Sequence, residues 1–273
     1  MIKLIAAVAA GVLALGGGLA GAEGEARVRV IHSSPDAPAV DVYANGNRVL
    51  SDVPYLASSG YLAVPAGSYT FELFAAGANP ETDAAVLTIP AEVDASTDYT
   101  VVALNEVASI EAAVFVDDNS APAAGQAHIS VIHAGPDAPA VDVAVAGGPV
   151  LVSDLALGNS AGPLPVDAGS YDLEVRVAGT NDVALSLPGV ELEPGTVYTF
   201  IATGFLEGQP ALTVEAYTET PVSEVEAEQL PASGSGGLLD SDEGGNSGYW
   251  LAGVAIIAGA ALIGIARRAA VRS

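Results

Sequence analysis

Polar and apolar side chains alternate along much of this chain. Arg27-Val28-Arg29-Val30 changes character at every step, and so does Val40-Asp41-Val42-Tyr43. A period of two places successive side chains on opposite faces, so each run predicts a half-buried β-strand. Asn45-Gly46 follows the second run, and Arg48-Val49-Leu50 follows the turn. Asn-Gly between two such runs predicts a tight hairpin, because both central turn residues need positive φ. Further strands are predicted at 61–64, 68–74, 99–105 and 110–116. No segment between them carries a helical period.

The pattern then starts again. The run from Val30-Ile31-His32 to Val40-Asp41-Val42 returns as Val131-Ile132-His133 to Val141-Asp142-Val143. Ala66-Gly67-Ser68-Tyr69 returns as Ala168-Gly169-Ser170-Tyr171, and Tyr99-Thr100 as Tyr198-Thr199. Gly147-Gly148 stands where the first copy has its hairpin turn. A period of about 100 residues matches one small domain, not a solenoid unit. Two copies of one domain are therefore predicted, at 27–118 and 126–219, with Asp118 to Gly125 as a short linker. Each has about seven short strands separated by turn signals, which predicts an all-β fold: two tandem antiparallel β-sandwiches of immunoglobulin-like type. Domains of this size can hold a core, so each copy is expected to fold alone.

The two ends carry a different signal. Residues 1–22 read as a secretory signal peptide: Lys3, an apolar stretch from Leu4 to Leu19, then small residues ending at Ala22, the expected cleavage position. An uncleaved anchor helix is the alternative. Residues 220–248 form an acidic stalk rich in Gly and Ser. Tyr249 to Ala266 is apolar and long enough, at about 1.5 Å per residue, to span a bilayer as a helix. Tyr249 and Trp250 suit the lipid interface, and the tail 267–273 brings Arg267, Arg268 and Arg272. Positive charge stays inside, so the repeats are expected outside a cell membrane that the chain crosses once.

Charge follows the same division. All 33 acidic residues lie between Glu23 and Glu243, where only Arg27, Arg29, Arg48 and Arg176 oppose them. Such a surface repels nucleic acid and favours cations, so nucleic acid is not an expected partner. Cysteine is absent, which excludes thiol catalysis, thiolate metal sites and disulfides.

The repeated His-Ser-Ser-Pro-Asp-Ala-Pro-Ala-Val-Asp-Val-Tyr of residues 32–43 and Pro-Ala-Gly-Ser-Tyr of residues 65–69 resemble a bacterial family of secreted domains of unknown function, DUF4397. The resemblance covers 27–118 and 126–219. It implies immunoglobulin-like or transthyretin-like sandwiches on surface proteins and brings no activity with it. The second copy departs at Ala134-Gly135 and at Ala144, where the first has Ser33-Ser34 and Tyr43. Leu230-Pro231-Ala232-Ser233-Gly234 resembles the Leu-Pro-any-Thr-Gly signal read by sortases, with Ser233 in the place of threonine. That resemblance implies a sortase and the cell wall as partners. A retained membrane helix is the other reading.

The sharpest candidate chemistry is His32 with Asp36 and Asp41, mirrored by His133 with Asp137 and Asp142. Histidine and carboxylates can hold zinc or run acid–base chemistry. The alternative reading is structural: histidine ends a strand, and Asp36 or Asp137 caps local amides in a Pro-Asp-Ala-Pro turn. Asp117 and Asp118, with Asn119, offer oxygen ligands at the junction and make calcium a candidate; no other cofactor is expected. Tyr43, Tyr55 and Tyr61 could form an aromatic strip for carbohydrate or could pack internally. His128, which the first copy lacks, is expected at the surface. No Gly-x-Ser-x-Gly elbow and no phosphate-binding loop occurs. The expected function is thus a non-enzymatic cell-surface protein that displays two β-sandwich modules for adhesion, envelope structure or binding of an extracellular ligand. A carbohydrate- or cation-binding accessory module and a metal-dependent enzyme are the alternatives.

Overall fold

The computed structural model describes residues 24–221. The predicted signal peptide, the stalk beyond Pro221, the sorting-like motif Leu230–Gly234, the apolar run 249–266 and the basic tail lie outside the described residues. Among the described residues no helix is long and apolar enough to cross a membrane.

The first repeat forms eight strands: β1 (Glu25–His32), β2 (Val40–Ala44), β3 (Asn47–Val53), β4 (Ser58–Pro65), β5 (Gly67–Ala75), β6 (Leu87–Val93), β7 (Asp98–Leu104) and β8 (Glu111–Asp117). The second repeats the order: β9 (Gln126–Ala134), β10 (Val141–Val145), β11 (Val150–Leu155), β12 (Ser160–Asp167), β13 (Gly169–Val177), β14 (Val183–Leu192), β15 (Val197–Thr203) and β16 (Thr213–Glu219). Each repeat is a β-sandwich of two four-stranded sheets. The outer sheets run β3-β2-β5-β6 and β11-β10-β13-β14; the inner sheets run β4-β1-β7-β8 and β12-β9-β15-β16. The all-β, two-sandwich architecture is as expected.

The details differ in three places. Each repeat has an eighth strand, β6 or β14, which contains Pro90 or Pro188. Both lie at a sheet edge, where a residue without an N–H leaves the ladder intact. Each inner sheet also contains a parallel pair. Arg27 to His32 run alongside Asp98 to Ala103, and His128 to Ala134 alongside Val197 to Thr203. Alternation reports which face a side chain takes, not which way the neighbouring strand runs. Asn45 and Gly46 do take positive φ, at 48° and 77°, between β2 and β3. In the second copy the loop is longer, and of its two glycines only Gly147 takes positive φ.

The larger difference is between the repeats. Val28 and Val30 of β1 point into the first repeat's own core. Ile31 belongs instead to a cluster with Val102 and Leu104 of β7, Ile132 and Ala134 of β9, Ile201 of β15 and Tyr217 of β16. The inner sheets therefore face each other, and both faces of their central strands are buried. Four sheets stack in the order outer, inner, inner, outer. Separating the copies would bring Ile31, Val102, Leu104, Ile132 and Ile201 to water, although all are now at most 2 % exposed.

Candidate functional site

The histidine ring closes the loop that follows the first strand of each repeat. His32 is 1 % exposed and His133 fully buried. The backbone N–H of Ser34 donates to Nδ1 of His32 at 3.4 Å, and that of Gly135 to Nδ1 of His133 at 3.2 Å. Nδ1 is thus the acceptor, and Nε2 carries the proton. Nε2 of His32 donates to the carbonyl of Pro38 and Nε2 of His133 to that of Pro139, both at 3.0 Å. Each neutral ring ties the start of the loop to its end, with both nitrogens engaged.

The aspartates point away from the histidines, to other segments. Oδ1 of Asp36 accepts the N–H of Val107 at 2.8 Å, 71 residues away in the β7–β8 connection. Asp137 accepts two: Leu206 N–H at 2.6 Å and Glu207 N–H at 2.9 Å, in the equivalent connection. The expected local turn cap is therefore a long-range strut in both copies. Asp41 and Asp142 serve a β-bulge. In β3 the residues Ser51 and Asp52 oppose Asp41 alone, and Asp52 takes φ 52°. The N–H of Asp52 donates to Asp41 at 2.7 Å, and that of Asp154, at φ 56°, donates to Asp142 at 2.8 Å. The second oxygens accept Gly77 N–H at 3.4 Å and Gly179 N–H at 3.0 Å. Arg48 adds a 3.5 Å ion pair to Asp41. Ser33 and Ser34 are fully buried, and neither hydroxyl has a hydrogen-bond partner. Their absence from the second copy therefore costs its loop no bond.

Burial lowers the pKa of both histidines below the usual 6.5, outweighing the proline carbonyls that would raise it. The fold therefore disfavours protonation. This contribution to stability is complete above about pH 6.5 and is lost as the pH falls from there toward the lowered native values, because the unfolded chain then binds more protons. The melting temperature should drop through this window. The slope should flatten in a His32→Gln, His133→Gln chain. An unchanged slope in that variant would assign the titration elsewhere.

The junction candidates take part in a second polar group. Asp117 accepts the hydroxyls of Tyr61 at 2.7 Å and Thr100 at 2.5 Å. Asp118 accepts the N–H of Ser120 at 2.9 Å. Asn119 donates to Tyr61 Oη at 3.0 Å and to Asp98 at 2.7 Å. Asp98 forms a bidentate pair with Arg27, whose remaining fork reaches Glu219 at 3.2 Å. Burial alone would raise Asp98, but the bonds from Arg27 and Asn119 hold it below the usual carboxylate value. Asp117 is raised, chiefly by burial, and the Tyr61 hydroxyl is pushed up to about 12 by the same cause.

Arg29 lies at the centre. It is 3 % exposed, and it donates from Nε and Nη2 to Thr100 Oγ1 at 3.1 and 2.8 Å. Nη2 also donates to Thr199 Oγ1 of the other repeat at 3.0 Å. The guanidinium lies 4.7 Å from the Tyr61 ring centroid and 5.9 Å from that of Tyr217, both within cation–π range. Thr203 donates to the carbonyl of Ser33, and Tyr217 Oη to that of Leu56, so the second repeat also grips the first repeat's backbone.

The three tyrosines do not form a strip. Tyr43 is buried on β2 against Phe74, edge to face at 5.2 Å. Tyr55 has its hydroxyl 3.3 Å from Thr203, and Tyr61 lies under Arg27 and Arg29. His128, expected at the surface, is half-buried on β9. Among the described residues no three His, Asp or Glu side chains converge on one point. The arginine-centred group was not singled out from the sequence. The available signal was that two of the four arginines between Glu23 and Glu243 share one face of β1, whereas the second copy has His128 and Ser130 there.

The sequence profile of the family described as "Domain of unknown function (DUF4397)" matches residues 26–144 and 127–228. No curated protein sequence matches. Among solved structures, the chain is similar to the Bacillus anthracis TIE protein at 12 % identity and TM-score 0.20, covering 66 % of this chain and 34 % of that one. The chain thus spans about a third of that protein's length. It is also similar to a candidate cell adhesion protein from Bacteroides uniformis at 12 % identity and TM-score 0.23, covering 71 % and 98 % of the two chains. A candidate cell adhesion protein from Bacteroides fragilis is similar at 11 % identity and TM-score 0.19, covering 73 % and 99 %.

Proposed function

This chain belongs to the DUF4397 family, and on that premise we propose that it is a non-enzymatic cell-surface protein whose two repeats form one stacked display unit, carried on a stalk. The observation that carries this reading is the use made of the repeated His/Asp motif. Both ring nitrogens of each histidine and all four aspartates are engaged in closing loops, bridging connections and holding bulges. The motif recurs because the fold recurs. Residues of this type in a catalytic site would be held within reach of a substrate atom. Here they are spent on backbone.

The sequence at the two ends supports the location: a leader ending at Ala22, and the run Tyr249 to Ala266 followed by three arginines. The charge of the exported part, four arginines against 33 acidic residues, suits a surface that stays hydrated and repels its own kind. The protein is expected in the membrane or wall fraction of intact cells, with its repeats cut by external protease. Recovery of full-length chain in the cytosolic fraction would sink this reading. The mass of the mature C-terminus separates the two anchors: an end at Ser233 means wall sorting, and an end at Ser273 means a retained membrane helix.

A further inference from the structure

Each of the four sheets ends in two edge strands, and an edge offers unpaired backbone groups to any extended chain. Seven of these eight edges are guarded. β4, β6, β12 and β14 contain prolines, β3 and β11 pair with shifted register, and β16 carries Glu215 near its middle. The eighth is β8. It pairs with β7 in unbroken register, and between Glu111 and Asp117 it reads Ala112-Ala113-Val114-Phe115-Val116, with no proline, bulge or charge. Among the described residues its other side has no strand neighbour. Alternate residues of an antiparallel edge strand turn their N–H and C=O groups outward, so β8 presents a row of donors and acceptors.

The two faces of β8 differ. Ala113 and Phe115 pack toward the second repeat, against the shared cluster. Ala112, Val114 and Val116 therefore take the other face, at the open margin of the first sandwich. Val114 is 46 % exposed and Val116 71 %, and neither belongs to a core cluster of its repeat. The second repeat finishes the same strand in another way. Phe115 pairs with Thr100 as Tyr217 pairs with Thr199, so Val114 corresponds to Ala216 and Val116 to Thr218. Ala216 is buried and Thr218 is polar. The first repeat shows two valines to water at those positions.

Charge at the ends of the strand sets the sign of a partner. Glu106 and Glu111 are exposed at and just before its start, and Asp118 just after its end. Arg27, the basic residue near that end, is already held by Asp98 and Glu219. In strand addition, main-chain hydrogen bonds supply the affinity and alternate side chains the selectivity. Here the alternate positions call for apolar groups and the flanks for cations.

We propose that β8 is a strand-addition site for a partner protein. Its free edge takes an extended basic segment, with apolar side chains at alternate positions beside Ala112, Val114 and Val116, and with lysine or arginine at its ends facing Glu111 and Asp118. The inference needs only the fold and is independent of how the chain is anchored.

The test uses the full chain in detergent and a labelled, end-blocked peptide, Lys-Val-Thr-Val-Thr-Val-Lys. Fluorescence anisotropy should show saturable binding that weakens as salt is added, because screening removes the attraction at the flanks. Amide exchange should slow along β8 when the peptide is present, and the edges β3, β6 and β16 should not change. A peptide with proline at the central valine should not bind, since it lacks the N–H and cannot pair. Val116→Lys places a like charge beside the peptide and should lower affinity roughly tenfold. That side chain is largely exposed, so the melting temperature of the variant should stay that of the wild type. No binding, equal binding of the proline peptide, unchanged affinity in Val116→Lys, or protection that appears at another edge would each overturn the proposal. So would β8 amides that already exchange slowly without peptide, which would mean that the edge is covered.

Discussion

Ile201→Ala is expected to lower the melting of both repeats together. Ile201 lies in the second repeat and is fully buried, but its cluster includes Ile31, Val102 and Leu104 of the first. Truncation of a buried isoleucine costs about 2–5 kcal/mol, from lost transfer energy plus the cavity left behind. The upper part of that range applies where the surroundings cannot collapse, and two opposed sheets held by their own ladders have little freedom to do so. Because the cluster is shared, the loss should appear as one earlier, still cooperative transition. Fluorescence of Tyr99 and Tyr198 cannot be told apart, so amide hydrogen exchange on β7 and β15 is the measurement of choice. Loss of protection confined to the second repeat would mean that the two sandwiches unfold independently, as the short linker by itself would suggest.

Asp142→Ala should be the most damaging change within the His/Asp motif. Asp142 is 7 % exposed, and its two oxygens accept the N–H groups of Asp154 and Gly179. Truncation strands both donors. A hydrogen bond to a charged group contributes roughly 1.5–3 kcal/mol, so the combined cost of the two is about 3–6 kcal/mol if the donors stay dry. Asp154 adds a second effect, because its φ of 56° is unfavourable for a side-chain-bearing residue and is held in place by that bond. Asp142→Asn retains one acceptor oxygen and should lose about half as much. Asp154→Gly in the Asp142→Ala background should recover part of the loss by removing the strain. Urea denaturation of the four chains gives the values. A loss below about 1 kcal/mol for Asp142→Ala would mean that water replaces the carboxylate and that the bulge does not depend on it.

These two residues mark how far the sequence could be followed. Alternation at β1 and β2, Asn45-Gly46 and the return of the pattern at Val131 were enough to establish strands, a hairpin and two copies of one all-β domain. Each of those signals is local: a period of two reflects the geometry of an extended chain, and a positive-φ turn reflects the sterics of one or two residues. The repeated Asp36 and Asp137 were legible as backbone-binding carboxylates, but their partners were not. Val107 and Leu206 are about 70 residues away and carry no side-chain mark of their role, since the donor is an amide that every non-proline residue has.

The same holds for the polar face of the inner sheets. Arg27, Arg29 and Thr100 read along the chain as the solvent side of half-buried strands, and one stacked sheet would have left them there. The second copy turns that face inward. Arg29 then becomes a buried bridge between Thr100 and Thr199, and Ile31, which stands beside it on the same face, joins the shared cluster. Composition and periodicity determined the class of fold and the number of repeats, because those follow from the conformations of single segments. Which strands run parallel was decided by pairing within each inner sheet, and which face is wet only by the stacking of the four sheets, because burial depends on what lies opposite a side chain and not on its neighbours in the chain.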